Sequence, residues 1–304
     1  MSTAHMPALE NAFAGRTAFI TGAASGIGLE LTRQLLPLGC NVMMSDIDGD
    51  ALARAAETLA PSNAGCAQIR VDVSDSADLE KAAAATVERF GAVHHVFNNA
   101  GVGAGASPGK TDMRDWRWIV DINLMGVVHG VEIFAPHILK NAPGADGLRG
   151  HFINTASMAG HMTMPGMAPY HATKFAVVGY TEALRQELEP HQVGVTALCP
   201  TFVKTQIHTT GRNAPSAGGD VNTDDPMYKI ASAMVAHGME VEPFITMVLR
   251  GVAANRCHVF NDPIMKDAFG QRHAALMADL DAGLADMQDL GATPAVNLIP
   301  TLNG

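Results

Sequence analysis

The chain is poor in aromatic side chains, which make up 5% of it, with only two Trp and three Tyr. Its four cysteines, Cys40, Cys66, Cys199 and Cys257, stand too far apart in sequence for a C-x-x-C pair. That excludes a dithiol motif and points to isolated thiols in a reducing compartment. Basic residues are scarce as well: 20 Lys and Arg face 30 Asp and Glu, a formal net charge of −10. Binding to nucleic acid or to an anionic membrane needs the opposite balance, so neither is expected as a partner. The opening residues, MSTAHMPALENAFAGR, lack the apolar block of a signal peptide. The longest uncharged stretches contain Pro, Gly, Asn and Ser, so none reads as a membrane span. A cytoplasmic protein is expected. Apolar residues are plentiful, at 47% of 304, with 17 Met among them, enough for the core of one large α/β domain or two small ones.

Short apolar runs alternate with longer stretches of helical periodicity. Residues 17–20, 42–44, 69–71, 93–97, 152–154 and 193–198 read as strands. Residues 27–38, 51–59, 79–90, 116–139 and 175–188 read as helices. This order predicts a doubly wound α/β fold, a mostly parallel sheet with helices on both faces. Parallel strands are buried on both sides, which explains runs that are continuous rather than alternating. Three stretches break the rhythm: a Gly/Pro-rich loop at 140–150, a long segment at 201–240, and a helical extension beyond Pro263 that ends in the uncharged tail GATPAVNLIPTLNG.

TGAASGIG, from Thr21 to Gly28, follows the first strand and opens the first helix. Gly22 permits a tight turn. Gly26 and Gly28 let a pyrophosphate approach the backbone and the helix pack on the sheet, with the helix N-terminus facing the anion. Asp46 ends the second strand, where a carboxylate accepts hydrogen bonds from an adenosine ribose; Asp48 and Asp50 are better placed to cap the next helix. Asp72 and Val73, at the end of the third strand, suit a capping turn and an adenine contact equally. No Arg or Lys lies in 23–25 or just after Asp46 to receive a 2′-phosphate, so the cofactor is expected to be NAD.

Tyr170 and Lys174 stand at i and i+4 on a helix and share a face. Three Tyr and seven Lys in this chain would give roughly 0.07 such pairs by chance. A tyrosine titrates near pH ~10 and is a poor base at neutrality. An ammonium ~4 Å away is worth about 4 kcal/mol at an effective dielectric of ~20, enough to bring the phenol toward working pH. Ser157 ends the predicted fifth strand, placed either to hold a substrate oxygen or to shape a turn. Asn123 lies inside a long helix, where a polar amide more often marks a kink or a packing bond.

Together, TGAASGIG, the NNAG of Asn98 to Gly101, Asn123, Ser157 and Tyr170-His171-Ala172-Thr173-Lys174 resemble the short-chain dehydrogenases/reductases. The resemblance covers about 12–262. It implies one Rossmann domain with a seven-stranded sheet, and 263–304 as a helical extension. It implies a catalytic tetrad: Tyr170 as general acid/base, Ser157 orienting the substrate oxygen, Lys174 binding the nicotinamide ribose and lowering the phenol pKa, and Asn123 holding a water. It also implies a cofactor surface made by Gly22, Ser25, Gly26, Ile27, Gly28, Asp46, Asp72, Val73, Asn99, Ala100, Gly101, Tyr170, Lys174, Pro200 and Val203, and a homodimer or homotetramer. The family's Pro-Gly after the sixth strand is Pro200-Thr201 here. The extension, with His237 to Glu240, is similar to the Cα-alcohol dehydrogenases of bacterial lignin-dimer breakdown.

Met158, Met162, Met164 and Met167 fall between Ser157 and Tyr170. Methionine adapts to irregular apolar shapes, whether in a core or around a ligand. With Ser157, Tyr170, Phe202, Ile207 and His208, and with 201–240 as a lid, they predict a pocket for a bulky apolar secondary alcohol or ketone. Charged groups near this pocket look few, which disfavours a phosphorylated or acyl-carrier substrate. A non-catalytic dinucleotide scaffold and a related isomerase or dehydratase are the alternatives. The 13 His show no metal-ligand spacing; His94 and His95 are adjacent on a predicted strand and point to opposite faces. No metal is expected.

Overall fold

Thr17–Thr21 is buried at all five positions and forms β1, the strand around which the sheet is built. The computed structural model describes residues 6–59, 65–103, 105, 108–219, 223–224 and 226–292. Around β1 stand β2 (Asn41–Asp46), β3 (Cys66–Arg70), β4 (His95–Asn98), β5 (Gly150–Thr155), β6 (Val193–Cys199) and β7 (His258–Phe260). Their order is β3-β2-β1-β4-β5-β6-β7, parallel throughout. The order reverses between β1 and β4, and a ligand crevice opens there at the carboxyl ends of the strands.

Adjacent residues of a strand serve opposite faces. Ile20 and Phe97 join a core with Leu9 and Phe13 of α1 (Met6–Phe13), Leu31 and Leu35 of α2 (Gly26–Leu35), Leu52 of α3 (Gly49–Glu57), and Phe244 and Leu249 of α9 (Val241–Ala253). Phe19 and Val96 join the other core, with Leu79 of α4 (Ser76–Phe90), Phe134 of α6 (Gly126–Ile138) and Leu184 of α7 (Ala168–Leu188). Asp48 and Asp75 cap α3 and α4 by accepting from the N–H groups of Ala51 and Ala77. Asp112 caps α5 (Met113–Val120) through the N–H of Arg114. Each cap is worth about 1 kcal/mol.

Several elements differ from the sequence reading. α1 was not anticipated, because Leu9, Ala12 and Phe13 are too few to set a period. β3 ends at Arg70, so Asp72 and Val73 lie in the turn beyond it; an edge strand with one solvated face lacks the apolar run that marks the others. Ser157 also lies past its strand and begins a short 3₁₀ turn, Met158–Gly160. The helix predicted over 116–139 is α5 and α6 joined by a π turn, Asp121–Met125. The whole stretch Met113–Ile138 is long and apolar enough to cross a bilayer, which the sequence reading did not see. Its Ile119, Val127, Val131, Phe134 and Ile138 are buried within the protein.

In the segment 201–240, a 3₁₀ run (Ile207–Asn213) precedes α8 (Pro226–Ala236); residues 220–222 and 225 lie outside the described residues. The described residues from Pro263 onward form a separate unit. It contains α10 (Ile264–Asp289), with Leu276, Met277, Leu280 and Leu284 exposed. The tail from 293, like residues 1–5 of the N-terminus, lies outside the described residues.

Candidate active site

The glycine loop is shaped so that side chains are excluded from it. Gly22 has φ +65°, and a Cβ there would stand 3.0 Å from Ala100 Cα. A Cβ on Gly28 would fall 2.3 Å from the Gly22 carbonyl oxygen, so α2 packs directly on the turn. Gly26, at φ +51°, lets Thr205 approach from the other side. The N-cap Ser25 makes no side-chain cap bond, and Ser25, Gly26 and Ile27 open on a cavity of about 1260 Å³. A glycine cradle at an uncapped helix N-terminus fits a pyrophosphate.

At the adenosine end, Asp46 Oδ2 accepts from Ala24 N–H and Oδ1 from Asp48 N–H, both at 3.1 Å, so the carboxylate is held facing the cavity wall it lines. Asp72 and Val73 line the same end, and Asp72 also accepts from the Ser74 N–H and hydroxyl, so it shapes a turn as well. Two bases that sequence reasoning missed lie close by. Arg54 lines the cavity, and Arg70 Nε donates to the Ile47 carbonyl at 3.1 Å. Arg54 comes from α3, directly after β2, and Arg70 from the end of β3, where the β2–β3 pairing sets it beside Asp46.

The NNAG segment is stapled to the glycine loop. Thr21 Oγ1 accepts from the N–H groups of Asn99 and Ala100 at 2.9 Å, and Asn99 Nδ2 donates to the Thr21 carbonyl at 3.0 Å. Asn98 Nδ2 donates to Asn154 Oδ1 at 2.9 Å across β4 and β5.

Tyr170 and Lys174 project from the first turns of α7. Lys174 is 4% exposed, and its Nζ donates to the Thr155 carbonyl at 2.8 Å, 5.6 Å from the Tyr170 ring centroid. Burial pushes its ammonium down to about 8. Burial also raises the Tyr170 phenol above its ordinary value, against the hydrogen bond with Ser157. In this arrangement desolvation of both groups sets the direction of each shift, and the lowering expected from Lys174 is not the net effect on the phenol. Ser157 Oγ serves twice, since it also accepts from Ala159 N–H at 3.1 Å.

Asn123 does not line the cavity. Its amide is buried in the π turn, accepting from Val102 N–H at 2.8 Å and donating to the Val102 carbonyl at 2.9 Å. It converges with Lys174 on Gly101, where a Cβ would stand 3.3 Å from Asn123 Oδ1 and 3.7 Å from Lys174 Nζ.

His171 is a further residue to which the sequence reading gave no role of its own. Its Nε2 accepts from Met164 N–H at 2.9 Å, so Nδ1 carries the proton and donates to the Ala159 carbonyl at 3.0 Å. The buried ring thus pins the methionine loop to α7. Met158, Met162, Met164 and Met167 all line the cavity, with Phe202, Ile207, Pro200 and Val203 opposite. The segment after β6 is held over this wall: Gly103 N–H donates to Thr210 Oγ1 at 2.8 Å, and Val203 bridges to Met239. Charged groups are not few here. Lys110, Asp112, Asp115 and Arg212 also line the cavity, which corrects the argument against an anionic substrate. Among the described residues, no three His, Cys, Asp or Glu side chains are grouped as metal ligands.

The family model described as short chain dehydrogenase matches residues 16–215. The oxidoreductase SadH of Mycobacterium tuberculosis is 35% identical over 246 residues, 80% of this chain and 86% of that protein. A C alpha-dehydrogenase of Sphingobium is 28% identical over 268 residues, 87% of this chain and 86% of that one. A short-chain dehydrogenase/reductase from Burkholderia phymatum, solved in complex with NAD, superposes with a TM-score of 0.79 at 33% identity, covering 95% of this chain and 99% of that one.

Proposed function

The chain belongs to the short-chain dehydrogenase family and is an oxidoreductase; on that premise we propose that it uses NAD to interconvert a bulky, mostly apolar secondary alcohol and its ketone. One observation carries this reading: Ser157, Tyr170 and Lys174 stand on the wall of a single cavity that runs from the glycine cradle to four methionines. The NAD-bound relative from Burkholderia phymatum and the Sphingobium C alpha-dehydrogenase support it. Four unpaired thiols support a cytoplasmic setting. The family's habit supports a homo-oligomer, a dimer or tetramer.

When bound, the nicotinamide supplies the hydride acceptor or donor. Ser157 and Tyr170 hold the carbinol or carbonyl oxygen between two hydroxyls. In oxidation Tyr170 takes the hydroxyl proton; in reduction it returns one. Lys174 stabilises the deprotonated phenol and offers its remaining protons to the ribose. The Thr155 carbonyl and the Gly101–Asn123 junction fix where that ammonium stands. Asp46 accepts from the adenosine ribose and opposes a 2′-phosphate. The methionines exclude water and fit the body of the substrate.

Reduced-cofactor absorbance during turnover with a panel of aryl, alicyclic and sugar alcohols, run with both cofactors, tests the reading. Aryl and alicyclic alcohols should be preferred, with NAD. Tyr170→Phe should lower turnover at least 100-fold while NAD binding, followed by calorimetry, persists. Undiminished turnover in that variant overturns the mechanism, and a sugar alcohol outrunning every apolar alcohol overturns the substrate class.

A further inference from the structure

The far wall of the cavity carries polarity that hydride transfer does not use. It is made by the 3₁₀ run Ile207–Asn213, by α8 and by the turn before α5. His208 stands there with its ring against Tyr228, centroids 5.8 Å apart. Its Nδ1 is buried and has no hydrogen-bond partner among the described residues. A buried donor or acceptor left alone is costly in a folded protein and calls for a water or a ligand atom to complete the bond; the His208 side chain lies on the cavity lining.

Arg212 lines the cavity from the same run. Among the described residues its guanidinium makes one hydrogen bond, to the neutral hydroxyl of Thr209 at 3.3 Å. Lys110 adds a second cation to this wall. The acids beside them are already engaged. Asp112 is paired with Arg114 at 2.7 Å. Asp115 accepts from the Ser216 N–H at 3.0 Å and from the Ser216 hydroxyl. Asp115 keeps its charge beside these neutral donors, so among the described residues this end of the cavity sets Lys110 and Arg212 against Asp115, an excess of positive charge in a protein of formal net charge −10.

We propose that the substrate is an amphipathic hydroxy or oxo acid, whose carboxylate, remote from the carbinol, is received by Arg212 and His208. The proposal rests on the alcohol–ketone reading above and names the substrate class for it. A guanidinium fork matches a planar carboxylate with two parallel N–H donors, and the His208 nitrogen meets the same group or an oxygen next to it. The methionines then fit the apolar body between the two polar ends.

The test uses 1-arylethanols that carry a para carboxylate on spacers of increasing length, each beside its methyl ester, with the full-length enzyme and NAD. The expected result is at least one acid with a kcat/KM at least tenfold above its ester, and an acid-to-ester ratio that falls at least tenfold in Arg212→Ala and partly recovers in Arg212→Lys. Calorimetric binding of the matching keto acids to the enzyme with NADH reads the anchor without turnover. Keto-acid binding that depends on Arg212 while no alcohol is oxidised upholds the anchor and defeats the reaction. Esters equal to or better than acids throughout, or keto-acid binding indifferent to both Arg212→Ala and His208→Phe, overturns the proposal.

Discussion

Lys174 Nζ stands 2.8 Å from the carbonyl oxygen of Thr155, joining the second turn of α7 to the end of β5. The lysine is thus held before any ligand arrives, by a backbone group that cannot swing away. It is also nearly dry, at 4% exposure, and desolvation disfavours its charge.

A pH profile should report this. Burial holds Lys174 at about 8. Oxidation needs the Tyr170–Lys174 pair to receive a proton, so kcat/KM for an alcohol should rise as pH increases through about 8. Reduction needs a proton to give, so kcat/KM for the ketone should fall through the same point. Lys174→Met should abolish both inflections. Profiles moving in the same direction for the two reactions would contradict the assignment.

Asp46 should decide the cofactor. A 2′-phosphate ~4 Å from its carboxylate costs about 4 kcal/mol at an effective dielectric of ~20. Asp46→Ser should cut the NAD-over-NADP ratio of kcat/KM at least 100-fold. Arg54 and Arg70, already near this end, should amplify the gain for NADP: adding Arg54→Ala to Asp46→Ser should lose part of it. An unchanged ratio in the single variant sinks the idea.

His171 should act on substrate binding rather than on chemistry. Its two ring bonds hold the loop that carries Met158, Met162 and Met164. His171→Ala leaves the buried Ala159 carbonyl unpaired, worth about 1–3 kcal/mol, and frees the half-buried Met164 N–H. KM for a bulky alcohol should rise about tenfold with little change in the pH profile, and the melting temperature should drop. A loss confined to kcat with KM intact would move His171 into the chemical step.

Two buried imidazoles should make the fold acid-sensitive. Burial pushes His151 down to about 3, and holds His95 well below its ordinary value. Below about pH 6.5 the unfolded chain binds protons that the native state refuses, so stability falls as pH falls, by about 1.4 kcal/mol per unit for each imidazole. His151→Gln keeps a donor toward Thr196 Oγ1, which His151 meets at 2.7 Å, and should flatten the slope by one proton. Urea melts at pH 7 and pH 5 measure it.

What the sequence made legible follows the same physics. β1, β5 and β6 announced themselves through short apolar runs such as residues 18–20 and 152–153 because both faces are covered, and the fold followed from their alternation with helices. The glycine loop and the Tyr170–Lys174 pair were readable because the chemistry is local, within eight and five residues. β3 was misplaced because an edge strand does not need a continuous apolar run. The π turn left no pattern, since Asn123 earns its place through Val102, which lies 21 residues away. Arg70 and Arg212 became site residues only by crossings that no spacing encodes, whereas His208 was already legible as part of the predicted pocket. The phenol's raised pKa depends on how completely water is removed, a property of packing rather than of the pair.

The strand order also bears on synthesis. β4 follows β3 in the chain, yet its outer neighbour is β5, made only after α5, the π turn and α6 have emerged. Until Gly150–Thr155 appears, a nascent sheet β3-β2-β1-β4 carries an open parallel edge, His95–Asn98, with Val96 and Phe97 on it, at what becomes the middle of the sheet. An unpaired edge of this kind is a template for joining another chain. Translation of residues 99–149 is therefore an interval in which this edge is open to aggregation, and a pause there should favour capture by chaperones over productive folding.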